Sequence, residues 1–192
     1  MELSHCGTIY PVLLRNKVFG PGTSLMILIA LGANLPHPEH GVPPGALAAA
    51  LRLLDSAEFR VTRRSRWYES PADPPSDQPP YVNGVAVIEA PGGPEALLAL
   101  LLDAEARLGR VRGQRNEART VDLDLLAFDG RVHPSEAPGA LELPHPRMHA
   151  RPFVLLPLAE VAPGWQHPVT GRTVEELIAA LGTAAGTARA VW

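Results

Sequence analysis

Apolar positions recur along the chain with two periods, and in order they predict strand, helix, strand, strand, helix, strand. MILIAL (26–31) is an apolar run of strand length closed by Gly32, and a Pro-rich loop follows to Pro44. GALAAALRLLDSA (45–57) repeats its apolar residues at helical spacing. FRVTRRSRWYES (59–70) alternates, with Phe59, Val61 and Trp67 on one side and mostly arginine on the other. PADPPSDQPP (71–80) can be neither helix nor strand, because proline removes backbone donors and restricts its neighbours. YVNGVAVIEA (81–90) alternates again and makes a third strand. PEALLALLLDAEARLGR (94–110) opens on proline, carries Glu95 in its first turn and Arg107 near its end, and stops at Gly109, as a helix should.

RTVDLDLLAF (119–128) supplies the fourth strand, and beyond it 146–163 reads as an irregular helix. TVEELIAALG (173–182) is a short helix capped by Thr173 and Gly182. Residues 1–25 show neither period and end in the breaker stretch GPGTS, so an irregular N-terminal extension is expected there, with Met26 a candidate start. Residues 26–192 are expected to form a single domain. The order βαββαβ implies an antiparallel sheet with both helices on one face, a ferredoxin-like α+β sandwich with C-terminal helical additions. That fold hosts many activities and decides none.

Composition narrows the classes. With 46% hydrophobic and 19% charged residues, the chain is ordinary for a globular protein and unlike a disordered one. A net charge of -3 gives no electrostatic reason to expect nucleic acid, and no apolar run approaches the ~20 residues that cross a bilayer. Cys6 is the single cysteine and no Cys/His cluster has zinc spacing, so a reducing cytoplasm is the expected location.

The fourth strand poses a chemical question, because Asp122 and Asp124 interrupt it one residue apart. On a helix they would point to different sides; on a strand they share a face, with Val121, Leu123 and Leu125 filling the other. Two carboxylates about 7 Å apart repel unless something positive lies between them. Magnesium, usually held by one or two carboxylates together with substrate phosphates, would satisfy both. A solvated face paired with arginines is the plainer reading of the spacing alone. Directly upstream, however, lie Arg107, Arg110, Arg112, Arg115 and Arg119, whose guanidinium groups fork onto phosphate oxygens. Acids and arginines together point to a magnesium nucleotide.

The third strand sets Tyr81 and Asn83 on one face, a pair suited either to core packing or to stacking on a flat heterocycle and bonding its edge. LPHPRMHARPF adds His145, Arg147, His149, Arg151 and Phe153 in one proline-punctuated stretch.

LGANL (31–35), WYESP with DQPPYVNGV (67–85), GRVR with RTVDLDLLAFDG (109–130) and LPHPRMHARPFVLLPLAEVAP (143–163) resemble, in order and spacing, the signature segments of the 6-hydroxymethyl-7,8-dihydropterin pyrophosphokinase family. The resemblance covers residues 26 to about 182. It implies transfer of pyrophosphate from ATP to the pterin hydroxymethyl oxygen in folate biosynthesis, with two Mg2+ ions, no nucleic-acid or membrane partner, and a monomer. Carried onto this chain, it assigns Asp122 and Asp124 to the metals and Arg110 and Arg119 to the triphosphate, these four being the candidate catalytic set. Arg112 and Arg115 fall in the loop that closes over the nucleotide, and Glu105, His145 and Arg151 lie on its side. Tyr81 and Phe153 would sandwich the pterin, Asn83 would read its edge, and the backbone of Ser70 would assist.

The chain departs from relatives in places. Its arginine loop is one residue shorter than in some, with Asn116 where those have tryptophan, and Pro152 stands where glycine is common. Arg66 and Trp67 are unlike the residues expected before Tyr68. The alternative class is a non-enzymatic ferredoxin-like module that binds RNA, for which aromatic residues at 5% and the negative charge are poor credentials, or one that binds pterin alone.

Overall fold

The computed structural model describes residues 26–55, 59–110, 117–135, 137 and 140–191. The extension expected over residues 1–25, and with it Arg112, Arg115 and Asn116, lies outside the described residues. The elements run β1 (Ile27–Ala33), α1 (Pro43–Leu54), β2 (Arg60–Arg64), β3 (Tyr68–Ser70), β4 (Tyr81–Glu89), α2 (Pro94–Arg107), β5 (Asp122–Phe128), α3 (Pro152–Val161), α4 (Val174–Ala180) and β6 (Arg189–Ala190). All strand pairs are antiparallel, in the order β5-β1-β4-β3-β6, with β2 also pairing β4. The protein is thus mixed α/β, built on an antiparallel sheet with helices.

Alternation along the strands sends side chains to two cores. Ile27, Ile29, Leu31, Val121, Leu123 and Leu125 pack with Leu47, Leu51 and Leu54 of α1 and Leu97 and Leu101 of α2. Leu28, Val85, Val87 and Leu126 pack on the opposite face with Val154, Leu155 and Leu158 of α3 and Leu177 of α4. The C-terminal helices therefore cover one end of the second face. The other end of that face is left for the site.

Several boundaries differ from the sequence expectation for identifiable reasons. β1 does not stop at Gly32: the glycine pairs with Asn83 on one side and Asp122 on the other, so the ladder continues through a position that lacks only a side chain. The single strand expected over 59–70 is two, β2 and β3. Between them Ser65 donates its N–H to the Val85 carbonyl (3.0 Å) while its Oγ accepts the Val85 N–H (3.1 Å), and this side-chain bond replaces a ladder rung. Trp67 then lies over Gly84, where an added Cβ would sit 2.7 Å from the indole; only glycine fits.

Helix α1 begins at Pro43 instead of residue 45, with proline in its first turn, where a missing N–H costs nothing. The irregular helix expected over 146–163 is a 3₁₀ turn, Met148–Ala150, followed by α3. Pro152 opens α3 and holds Arg151 extended, at φ -110 and ψ 108, as the residue before a proline should be. Thr173 and Glu176 cap α4 reciprocally, as a capping box. Among the described residues no helix is long and apolar enough to cross a membrane.

Candidate active site

One row across the sheet fixes the centre of the site. Asp122 of β5 stands beside Gly32 of β1, Gly32 beside Asn83 of β4, and Asn83 beside Tyr68 of β3. The next row sets Asp124 beside Ala30 and Ala30 beside Val85. Because β1 offers only glycine and alanine here, the floor between β5 and β4 stays open. Above it lies a cleft of about 400 Å³, walled by loop 71–80, residues 117–119 and the segment 145–154.

On the β5 side the charges are interlocked. Arg110 donates to both Glu105 and Asp122, and Arg119 donates through Nη1 to the other Asp122 oxygen at 2.7 Å. Glu105, only 2% exposed, also accepts the N–H of Leu123 at 2.8 Å, so it reaches round to the open edge of β5. Burial alone would lower the Arg110 guanidinium, but Asp122 and Glu105 outweigh it and raise it above its usual value. Asp122 is thereby held rigidly between two cations.

Asp124 is different: no hydrogen-bond donor reaches it among the described residues. Burial, then the neighbouring Asp122 charge, pushes its carboxyl up to about 6, with Arg151 and Arg110 acting the other way. His145 is pushed down to about 4 by burial and by Arg151 and Arg147. Its Nδ1 accepts the Arg147 N–H at 3.2 Å, so a neutral ring carries its proton on Nε2 and presents a donor. The Arg151 guanidinium, its side chain 12% exposed, stacks 5.3 Å over Phe153 and makes no hydrogen bond to a described residue. Burial and then Arg147 lower its guanidinium.

The β4 side is neutral. Asn83 donates Nδ2 to Ser70 Oγ (3.0 Å) and to the Tyr68 carbonyl (3.4 Å), which turns its Oδ1 towards Gly32 and the cleft. Tyr81 bonds Gln78 Oε1 (3.2 Å) and the Glu117 carbonyl (3.1 Å); burial raises its phenol, so it stays protonated. Phe153 faces the same cleft from the start of α3. The chemistry of these groups, two aromatic rings and an amide oxygen, suits a flat ring with hydrogen-bonding edges.

Among the described residues no group of three or more His, Cys, Asp or Glu could hold a metal unaided. The aspartate pair nonetheless suits magnesium, which needs only one or two carboxylates when phosphates complete its shell. Asp124, without a hydrogen-bond donor among the described residues and repelled by Asp122, is the group a divalent cation would relieve.

Of the residues singled out from sequence, Ser70, Tyr81, Asn83, Arg110, Arg119, Asp122, Asp124, His145, Arg151 and Phe153 line the cleft. Glu105 lies behind Arg110 and does not line it. Arg107 points away, to Asp103 on its own helix. Sequence reasoning passed over Asn34, which is 3% exposed. Its Oδ1 accepts the Arg119 N–H at 2.7 Å, and its Nδ2 donates to Gln78 Oε1 (3.1 Å) and the Pro79 carbonyl (3.2 Å). Asn34 thus fastens the arginine side of the cleft to loop 71–80. Its signals were an amide just after a predicted strand and a place within the LGANL segment, neither of which names its partners.

Comparison with known proteins supplies a further finding. Residues 28–163 match the family model described as 7,8-dihydro-6-hydroxymethylpterin-pyrophosphokinase (HPPK). The chain is 40% identical over 151 residues to the 2-amino-4-hydroxy-6-hydroxymethyldihydropteridine pyrophosphokinase of Synechocystis, covering 79% of this chain and 73% of that one. It is 42% identical over 154 residues to the protein of the same name from Pseudomonas aeruginosa, covering 80% and 90%. Among solved structures, Plasmodium falciparum HPPK-DHPS crystallised with pteroate superposes with a TM-score of 0.61 at 12% identity, over 81% of this chain and 44% of that one. At that identity the likeness shows the fold alone, and this chain spans less than half of the solved one.

Proposed function

Since the chain belongs to the 7,8-dihydro-6-hydroxymethylpterin-pyrophosphokinase family, we propose how the cleft carries out the family reaction. The enzyme transfers pyrophosphate from ATP to 6-hydroxymethyl-7,8-dihydropterin in folate biosynthesis. The pterin hydroxymethyl oxygen attacks the β-phosphorus of ATP, the bond from that phosphorus to the α,β-bridging oxygen breaks, and AMP departs. The observation that carries the residue assignment is the shared row: Asp122 and Asn83 stand either side of Gly32, so a phosphate end and a heterocycle edge meet over one glycine.

In this reading Tyr81 and Phe153 hold the pterin ring, and Asn83 Oδ1 accepts from its amino edge. Ser70 contributes through its side chain, by fixing the Asn83 amide. Arg110 and Arg119 set the Asp122 carboxylate and face the triphosphate, joined by Arg112 and Arg115. Glu105 acts through Arg110, as a positioning group on the nucleotide side. His145 donates Nε2–H to a phosphate oxygen instead of serving as a base. Arg151, whose guanidinium makes no hydrogen bond to a described residue, is a ready phosphate ligand. Two Mg2+ ions on Asp122 and Asp124 would reduce the negative charge that opposes attack at the β-phosphorus. The protein's remaining contribution is alignment and exclusion of water.

We also assign the order β5-β1-β4 with β2 and β3, and α1 and α2 on one face, to the ferredoxin-like βαββαβ arrangement, its second strand broken at Ser65. A cytoplasmic monomer is the accompanying proposal, in which the single cysteine supports the reducing compartment alone. The RNA-binding alternative is not favoured. Incubating the chain with ATP, magnesium and hydroxymethyl-dihydropterin should release AMP in step with pterin diphosphate. A folded sample that released neither would overturn the reading.

A further inference from the structure

Loop 71–80 brings a carboxylate to a cleft guanidinium that makes no hydrogen bond to a described residue. Arg151 enters the site because Pro152 forces it out of the helix, and its side chain is nearly buried, at 12% exposure. Its Nε is fully buried without a hydrogen-bond partner, and Asp73 Oδ2 stands 3.7 Å away, beyond hydrogen-bonding distance. Asp73 itself is 55% exposed and makes no hydrogen bond among the described residues. This contact is therefore neither a structural ion pair nor an accident of two remote charges: a buried donor group is left short of an acceptor, and a displaceable carboxylate stands in for one.

We propose that Asp73 is a positioning residue which holds the Arg151 guanidinium in the ligand-free enzyme and competes with the phosphates of ATP for it. The inference rests on the reading of Arg151 as a phosphate ligand. A phosphate oxygen reaches Arg151 at true hydrogen-bonding distance and can engage two N–H groups at once, so it displaces Asp73. Once displaced, the carboxylate returns to solvent with loop 71–80. Asp73 thus lowers the apparent affinity for nucleotide without entering the chemistry. It also ties that affinity to the loop that borders the pterin side.

The test is calorimetric titration of the full chain with magnesium and a non-hydrolysable ATP analogue, on variants first shown by thermal melting to be folded. Asp73→Asn should bind the analogue about two- to fivefold more tightly, the range of a partly exposed ion pair, and lower the KM for ATP at unchanged kcat. Asp73→Glu should restore wild-type binding. Asp77→Asn, which removes an exposed charge from the same loop, should change nothing. In the Arg151→Gln background the gain from Asp73→Asn should vanish. Binding by Asp73→Asn no tighter than wild type, or an equal gain from Asp77→Asn or in the Arg151→Gln background, would overturn the proposal while leaving Arg151 as a ligand. Wild-type affinity in Arg151→Gln alone would overturn both.

Discussion

Asn83 and Asp122 face each other across Gly32: an added Cβ at that glycine would sit 3.2 Å from Asn83 Oδ1 and 3.9 Å from Asp122 Cβ. The amide would have to give way, whereas the carboxylate would feel only ordinary contact. Gly32→Ala is therefore expected to weaken pterin binding about tenfold, the cost of one misaligned buried hydrogen bond, and to leave nucleotide binding within about threefold. Separate titrations with pterin and with an ATP analogue distinguish the two effects. Equal losses for both ligands would mean that the whole row, and not the amide, had moved.

Glu105 and Asp122 share the Arg110 guanidinium, and Glu105 also holds the Leu123 N–H. Glu105→Ala takes one of two carboxylates from the buried Arg110 and leaves the Leu123 N–H unmatched, so it should cost on the order of 3 kcal/mol of stability, read by urea denaturation. Glu105→Gln keeps an acceptor for one of them and should cost about half as much. In both variants kcat should fall further than nucleotide affinity, because Asp122 loses its brace but the cleft keeps its charge. A pure affinity loss at full kcat would make Glu105 a direct nucleotide ligand.

The sequence carried much of this arrangement, and the omissions have physical causes. The shared face of Asp122 and Asp124 followed from strand period alone, and the limits of α2 followed from Pro94 and Gly109, whose φ is +69. Gly32 misled, since a glycine that ends a strand and one that opens a floor within it look alike in one dimension. The break at Ser65 was hidden because a serine that bonds one opposite residue twice has no sequence period. Asn34 was hidden for a related reason. Its three side-chain partners lie 44, 45 and 85 residues away, and only the fold brings them together.

Tyr81 offers the cleft both a ring and a tether. Its hydroxyl bonds Gln78 and the Glu117 carbonyl, so Tyr81→Phe keeps the stacking surface and loses the tie. Turnover should fall by less than about fivefold, since an exposed hydrogen bond is worth about 1 kcal/mol. Tyr81→Ala should raise the pterin KM about a hundredfold, as loss of an aromatic wall would. Similar kcat/KM for the two variants would show that the hydroxyl, and not the ring, matters.

Asp124 and His145 titrate in opposite senses. With its carboxyl pushed up to about 6 from 3.8, Asp124 in the folded protein holds a proton that the unfolded chain has already lost, so its contribution to stability falls as pH rises from about 4 to about 6. With His145 pushed down to about 4 from 6.5, the unfolded chain binds the extra proton, and that contribution rises with pH between about 4 and 6.5. Metal-free wild-type protein should therefore show a shallow dependence of Tm on pH in this window. Asp124→Asn removes the falling limb and leaves the rising one, so its Tm should climb from pH 4 to 6.5 and exceed the wild-type value at pH 7.5. Magnesium with an ATP analogue should reverse that ranking, because the cation relieves the repulsion that Asn never suffers and cannot bind as well without the carboxylate. Thermal melts at these pH values, with and without the metal nucleotide, check the argument. An Asp124→Asn protein less stable than wild type at pH 7.5 without metal would show that the ionised carboxylate supports the fold, which its raised pKa denies.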